Sequence, residues 1–311
     1  MVNCSSETGS GIYVSIDELI ALQKPGEGLC NAVAHIVQRG GPGAMRSFSH
    51  GRGYEPDELR GYQIGDDMRA IDWRVTARCG RMMTRLFTED REQQYLIAAD
   101  QRPPMFFGSQ TNFKSVTAAH CAALFAWAAF ALGARIGGVV AGENLSVTRD
   151  QADRHSVLKL LRHIAAVNQS LDIDSTSEIS LVDILQQCLQ SARSGSMIVL
   201  ISDFTAMDQQ TEMLLAALCR RGSVLLVRIV DQLQEQLPVA GSVGIGDGQQ
   251  RASVRLNAAT RAAYKESLTQ KNAHFTRTAE RYGASMVIVS TMGSSISELQ
   301  AAISCVGLSG E

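Results

Sequence analysis

Aromatic side chains are scarce in this sequence: Phe, Trp and Tyr supply 5% of its 311 residues. Charge is sparse as well, at 19% of residues against the ~25% of an average soluble domain. A core made without aromatics must be aliphatic and Ala-rich, and a hydrophobic content of 45% is enough to fill one. An excess of positive charge is missing too. With a net charge of −2 and a pI near 6.3, there is no bulk electrostatic grip on nucleic acid or on an anionic membrane. The seven cysteines (Cys4, Cys30, Cys79, Cys121, Cys188, Cys219, Cys305) are odd in number and never fall as Cys-x-x-Cys, so neither a disulfide framework nor a zinc ribbon is indicated. They read as reduced, mostly buried small hydrophobes. The six histidines (His35, His50, His120, His155, His163, His274) include no pair at metal-ligand spacing. Without a Gly-x-Ser-x-Gly, a Walker A sequence or a Gly-x-Gly-x-x-Gly after a strand, the sequence nominates no nucleophile and no phosphate loop.

The opening MVNCSSETGS has neither the basic nor the apolar region of a secretory signal, and Cys4 follows no lipobox. Cytoplasmic residence is the expectation. Ser115 to Ala134 runs 20 residues without a formal charge, a length that can span a bilayer. Most of it is Ala, diluted by Ser115, Thr117, His120 and Gly133, and it sits inside an alternating pattern of strands and helices. It is expected to be a buried core helix, with membrane contact at most peripheral.

From Tyr95 onward, short aliphatic runs alternate with helix-period segments, which predicts a doubly wound α/β sheet. The predicted strands are Tyr95 to Asp100, Arg135 to Ala141 with its hairpin partner from Asn144, Met197 to Phe204, Ser223 to Val230 and Ser285 to Ser290. Helices are expected at Ile16 to Leu22 behind a Ser15/Glu18 capping box and at Val157 to Val167. Others are expected from Ile179 behind a Ser175/Glu178 box, at Met213 to Arg220, at Ala258 to Arg281 and behind Ser295/Glu298. The glycines at 241, 244, 246 and 248 mark a hairpin. Two domains are expected, with residues 1–92 as an N-terminal helix plus a charged module and residues 93–311 as the sheet domain.

Charge is concentrated between Arg46 and Glu92, where nine Arg, no Lys and nine Asp or Glu make 18 of 47 residues charged, against 42 of the other 264. Arg forks pair with carboxylates through two parallel hydrogen bonds, so an all-Arg segment of zero net charge suits an internal ion-pair network. Gly65-Asp66-Asp67 is read as a turn capping a helical turn from Met68 to Arg74, anchored by Trp73 and Tyr62. A partner-binding surface and a metal or nuclease site on Glu55, Asp66, Asp67 and Asp72 are the other two readings. The arginines argue against the latter by neutralising carboxylates that a hard cation needs free.

Residues 51–78 read GRGYEPDELRGYQIGDDMRAIDWRVTAR. This resembles the signature of domain-of-unknown-function family 58, bacterial proteins with a von Willebrand factor A-like domain. The resemblance rests on Gly51, Gly53, Tyr54, Glu55, Arg60, Tyr62, Gly65, Asp66, Asp67, Arg69, Ile71, Asp72, Trp73, Ala77 and Arg78. It continues through Phe87, Arg91, Met105, Phe106, Gly108 and Lys114, with Ile201 to Phe204 fitting the fourth strand. It implies a von Willebrand factor A-like, Rossmann-like sheet with a small Arg-rich, β-containing N-terminal module. It also implies a non-catalytic role beside a MoxR-type AAA+ ATPase and other von Willebrand factor A-like proteins, in maturation, assembly or stress tolerance. A metal-dependent hydrolase using the acidic signature residues is the alternative.

Such domains commonly hold a divalent cation on an Asp-x-Ser-x-Ser loop after the first strand. Here that loop reads Asp100-Gln101-Arg102-Pro103-Pro104, so Arg102 and Pro104 stand where the serines would be, while Asp203 matches the distal Asp. No cofactor is therefore expected, and two readings of Arg102 are open: a fixed cation bridging Asp100 and Asp203 in place of the ion, or a solvated loop residue. Mg2+ on Asp100, Asp203 and Thr176 is the alternative.

Overall fold

A computed structural model of the protein describes residues 11–39, 58–62, 68, 71–86, 93–205, 207–238, 241–246, 251–293 and 295–308. The chain divides into two compact units, residues 46–91 and the remainder. In chain order, three short helices come first: α1 (Ile16–Ala21), α2 (Gln23–Glu27) and α3 (Cys30–Arg39). The smaller unit contributes β1 (Glu58–Gly61), α4 (Trp73–Cys79) and β2 (Met83–Leu86). The chain continues with β3 (Gln94–Asp100), a 3-10 turn at Pro103–Met105, α5 (Lys114–Ala131), β4 (Arg135–Ala141), β5 (Leu145–Gln151), α6 (Arg154–Gln169) and α7 (Leu181–Ser191). It closes with β6 (Ser196–Ser202), α8 (Gln209–Arg221), β7 (Gly222–Val230), α9 (Gln232–Glu235), β8 (Gly241–Gly246), β9 (Arg251–Leu256), α10 (Ala258–Tyr282), β10 (Ser285–Ser290) and α11 (Ser295–Leu308).

Six strands form one sheet in the order β10-β7-β6-β3-β4-β5, parallel except for the antiparallel edge pair β4 and β5. The expected α/β sheet is present, with helices on both faces and a Rossmann-like layout. Strand side chains alternate faces, and the core splits accordingly. Tyr95, Ile97, Ala99, Val199 and Ile201 face a layer built from α5, α6 and α11, while Leu96, Ala98, Ile198 and Leu200 face α7, α8 and α10. The glycine-marked hairpin forms as β8 and β9.

The uncharged stretch forms the central helix α5, which is buried on nearly every side. Its alanines let the sheet below and helices above approach closely, and the hydrophobic effect favours such a helix in a core as readily as in lipid. Among the described residues, no helix is long and apolar enough to cross a membrane.

The N-terminal helices belong with the sheet and not with the charged module, which corrects the expected division of residues 1–92 from 93–311. Leu19, Leu22, Leu29 and Val33 enter the α5 side of the core. The buried Trp127 indole donates to the Leu19 carbonyl at 3.0 Å, and Gly26 lies so close that an added Cβ would meet the Trp127 Cβ at 2.6 Å. The expected Ser15/Glu18 box opens α1. Helix α7 opens at Ser180 with Asp183, not at Ser175 with Glu178. Ser175 instead donates to Asp172 in a preceding turn at 3.0 Å. Glu298 accepts from the Ser290 N–H at 2.6 Å.

In the smaller unit, β1 and β2 pair antiparallel. Asp72 caps α4 by accepting from the N–H groups of Arg74 and Val75, and its own N–H donates to the Met83 carbonyl. The α-helix thus starts at Trp73; Met68, where the expected helical turn begins, is in 3-10 conformation with its carbonyl accepting from the Ile71 N–H, and Gly65, Asp66 and Asp67 lie outside the described residues. Helix α4 ends at Gly80, whose φ of 67° is the left-handed conformation that favours glycine at a helix C-terminus.

Candidate functional site

Strand β3 is the first strand of the sheet in chain order; β4 lies on one side of it and β6 on the other. Their C-terminal ends therefore flank the position where an open α/β sheet forms its ligand crevice. Asp100 closes β3, Ser202 closes β6 and Asp203 follows it. All three are buried.

Asp100 is saturated by its own chain. Its Oδ1 accepts from the Arg102 N–H at 3.0 Å and from Arg102 Nε at 2.9 Å, and its Oδ2 accepts from Arg102 Nη2 at 2.7 Å and Ser202 Oγ at 2.6 Å. A carboxylate has about four acceptor sites, so this one has none left. Asp203 is met by a different cation. Lys114, the first residue of α5 and buried, donates from Nζ to Asp203 Oδ2 at 2.7 Å, while the N–H and hydroxyl of Thr205 donate to Oδ1.

Arg102 thus does not bridge the two carboxylates, which corrects the first of its two readings. Its fork closes on Asp100, and Nη1 donates to the Ile179 carbonyl at 3.3 Å. Burial pulls the Arg102 guanidinium down, but its bonds to Asp100 and the charges of Asp203 and Asp183 outweigh that and hold it above its ordinary value. Burial likewise pushes the Asp203 carboxyl up. The Lys114 charge and hydrogen bond, with Thr205 and Arg102, outweigh that and hold Asp203 below the usual carboxylate range.

These donors do not fit a divalent cation. Mg2+ demands free oxygen ligands in near-octahedral order, and here an ammonium and a guanidinium occupy the oxygens it would use. Pro104 sits exposed in the 3-10 turn and Thr176 is exposed as well. Lys114 was missed as a site residue. A single Lys heading a long uncharged run was the available signal, because an ammonium carried into a core must find a carboxylate.

Neutral side chains hold the loop that carries Arg102. Buried Gln101 donates from Nε2 to the Ser115 carbonyl at 2.8 Å and accepts from Asn168 Nδ2 at 3.0 Å, while Asn168 Oδ1 accepts from the Val14 N–H at 2.8 Å. Further along, buried Asp231 caps α9 and accepts from the Ser109 N–H and the Thr291 hydroxyl, tying the loop to β7 and β10. Phe204, directly after Asp203, has a φ of 50°. For a bulky residue this left-handed conformation costs on the order of 1–3 kcal/mol and persists only where the surroundings impose it.

Of the signature residues, Gly51, Gly53, Tyr54, Glu55, Gly65, Asp66, Asp67, Arg69, Phe87 and Arg91 lie outside the described residues, as does most of the expected ion-pair network. Arg60 lies on β1 and Arg78 is exposed on α4. Tyr62 is half-buried, and its N–H donates to the Met82 carbonyl. Trp73 is not the anchor expected of it. It is 63% exposed, and Met68 and Met82 in the same unit are 65% and 49% exposed. Ile71 is the buried apolar residue beside it.

The profile of a family described as "Protein of unknown function DUF58" matches residues 58–274. Uncharacterized proteins of Mycobacterium bovis and of two strains of Mycobacterium tuberculosis are 28% identical over 244 residues, covering 78% of this chain and 76% of each relative. Among solved structures, the conserved hypothetical protein BatB from Bacteroides thetaiotaomicron aligns with a TM-score of 0.40 at 12% identity, covering 70% of this chain and 100% of that one. An uncharacterized membrane spanning protein from Vibrio fischeri aligns with a TM-score of 0.23 at 12% identity, covering 70% and 98%. Similarity at this level carries no argument about fold or function.

Proposed function

The chain belongs to the DUF58 family of proteins of unknown function, and from that premise we propose that it is a non-catalytic interaction protein. Its sheet domain is von Willebrand factor A-like, and its partner is a MoxR-type AAA+ ATPase. One observation carries the non-catalytic part: at the crevice where such a sheet binds ligands, Asp100 and Asp203 are both already paired with the chain's own Arg102 and Lys114. A metal-dependent hydrolase built at that crevice would need free carboxylates there, to hold an ion or move a proton. Support for the interaction part comes from the smaller unit, which keeps Trp73 largely in solvent. Tryptophan and methionine are enriched in protein interfaces, and truncated tryptophans are among the costliest interface losses.

The test is capture of a MoxR-type ATPase from the same source organism by the immobilised full chain, read together with the ATPase rate. Wild type is expected to retain the ATPase and Trp73→Ala to lose most of it with an unchanged melting temperature. Absence of capture together with an unaltered ATPase rate overturns the proposal. So does phosphodiesterase or peptidase turnover by the chain that depends on added Mg2+ or Mn2+.

A further inference from the structure

Beside the switch point, at the C-terminal ends of β6 and β7 and against α10, lies a cavity of about 130 Å3. Phe204, Arg228, Glu235, Tyr264, Lys271 and Phe275 line it together with Asp203. Arg228 sits on β7 in register with Ser202 of β6, one strand away from the saturated carboxylates. We infer that this cavity is a binding site for a short-chain monocarboxylate, with the Arg228 guanidinium as its recognition group. The inference is independent of the adaptor role.

Arg228 is half-buried, and among the described residues its guanidinium has no hydrogen-bond or ion-pair partner. Its Nε is closed off from solvent and still unsatisfied. What holds it is a ring: Cζ lies 5.5 Å from the Phe275 centroid. A guanidinium lying over an aromatic face does not spend its N–H groups on the ring, so the Nη1/Nη2 edge, and not the enclosed Nε, is the planar fork that matches the two oxygens of a carboxylate. Burying a guanidinium that has no hydrogen-bond acceptor among the described residues is costly, and the charges of Glu235 and Asp203 offset it only in part, so its retention at the wall of a cavity points to a ligand that supplies a further counter-charge.

Charge and size narrow the ligand. Arg228 and Lys271 stand against Asp203 and Glu235, but Asp203 is already matched by Lys114. Two cations then face one carboxylate, leaving a single positive charge, which suits a monoanion better than a phosphate dianion. A cavity of ~150 Å3 takes a benzene molecule, so this one holds roughly six heavy atoms, the size of butyrate. Its walls favour an apolar stem, because Phe204 and Phe275 stack at 5.1 Å between ring centroids. The strained backbone of Phe204 is a second, separate sign, since imposed conformations of this kind cluster at ligand clamps.

Saturation-transfer NMR of sodium butyrate against the full chain, at constant ionic strength, tests the site. Wild type should saturate the butyrate methyl, and Arg228→Gln should lower that signal at least tenfold. Lys271 is exposed, so Lys271→Glu should fold normally while reversing the sign of the cavity charge, and it should also lose the signal. No transfer in wild type, an unchanged signal in Arg228→Gln, a retained signal in folded Lys271→Glu, or displacement of butyrate by equimolar inorganic phosphate would each overturn the inference.

Discussion

Arg102 and Arg228 are both partly buried arginines at the C-terminal edge of the same sheet, and they differ in what surrounds the guanidinium. Arg102 closes on Asp100 with two parallel hydrogen bonds and gives a third to a carbonyl. Arg228 lies over a ring and has no acceptor among the described residues. Around Arg102 the neighbouring charges hold the proton more tightly than usual. Around Arg228 burial lowers the proton affinity, and Glu235 and Asp203 only partly offset it. The contrast separates charge used as architecture, which is saturated from within, from charge kept available for something outside the chain. Lys114 belongs to the first class, and it is where the comparison breaks most visibly.

Replacing Lys114 with Met should cost the most stability. It strands Asp203 as a buried carboxylate without a cation, a change that typically costs about 3–5 kcal/mol. Urea unfolding should show that loss, and Lys114→Met combined with Asp203→Leu should recover most of it, because an apolar pair of similar volume restores a consistent interior. A double variant no more stable than the single one would mean that Lys114 acts through something other than Asp203.

The same variant should invert the pH response. In wild type the folded Asp203 carboxyl lies below its unfolded value of ~3.9, so its stabilising contribution is complete above that pH and is lost as the pH falls through the folded value. Without Lys114, burial raises the carboxyl instead, and the variant gains relative stability on protonation. The gap between the two proteins should therefore be widest near neutrality and close as the pH falls toward the carboxylate range. A gap constant from pH 7 to 4 would contradict this assignment.

Arg102→Lys should rank next. Lysine keeps the charge but cannot reproduce the two-pronged contact with Asp100, and hydrogen bonds to charged groups contribute roughly 1.5–3 kcal/mol each. A loss of about 1–3 kcal/mol in urea unfolding is expected, with no gain of Mg2+ binding by calorimetry, since Lys114 still occupies the second carboxylate.

How far these features could be read from the residues depends on their locality. Strands such as MIVLIS and SVLLVRIV were legible because a sheet buried on both faces demands continuous aliphatic runs. The α5 helix was legible because its length, alanines and flanking strands agreed. The start of α7 was not, since Ser175/Glu178 and Ser180/Asp183 both satisfy a capping pattern and only packing of Leu181 and Ile184 selects the second. Trp73 was misjudged because an aromatic in a dense signature reads equally as an anchor and as a surface contact. Arg102 was visible as a substitution within a loop, but its division of labour with Lys114 joins positions on separate elements. Arg228 was invisible, since its meaning lies in strand register and in the lack of an acceptor around it among the described residues.

The smallest effect on stability, and the sharpest test of the comparison, is Arg228→Met. If Arg228 were architectural in the way Arg102 is, removing it would cost a similar amount. Instead the substitution removes an unsatisfied guanidinium from a half-buried position, which favours the folded state. It forfeits a cation–π contact of about 0.5–1 kcal/mol at a partly exposed site. Methionine fills the space of the lost stem and makes its own favourable contact with the Phe275 ring. These terms oppose one another, so the unfolding free energy should change by no more than about 0.5 kcal/mol in either direction, the range of substitutions away from organised features. A loss approaching that of Arg102→Lys would show that Arg228 is held by interactions within the chain and would place both arginines in the architectural class.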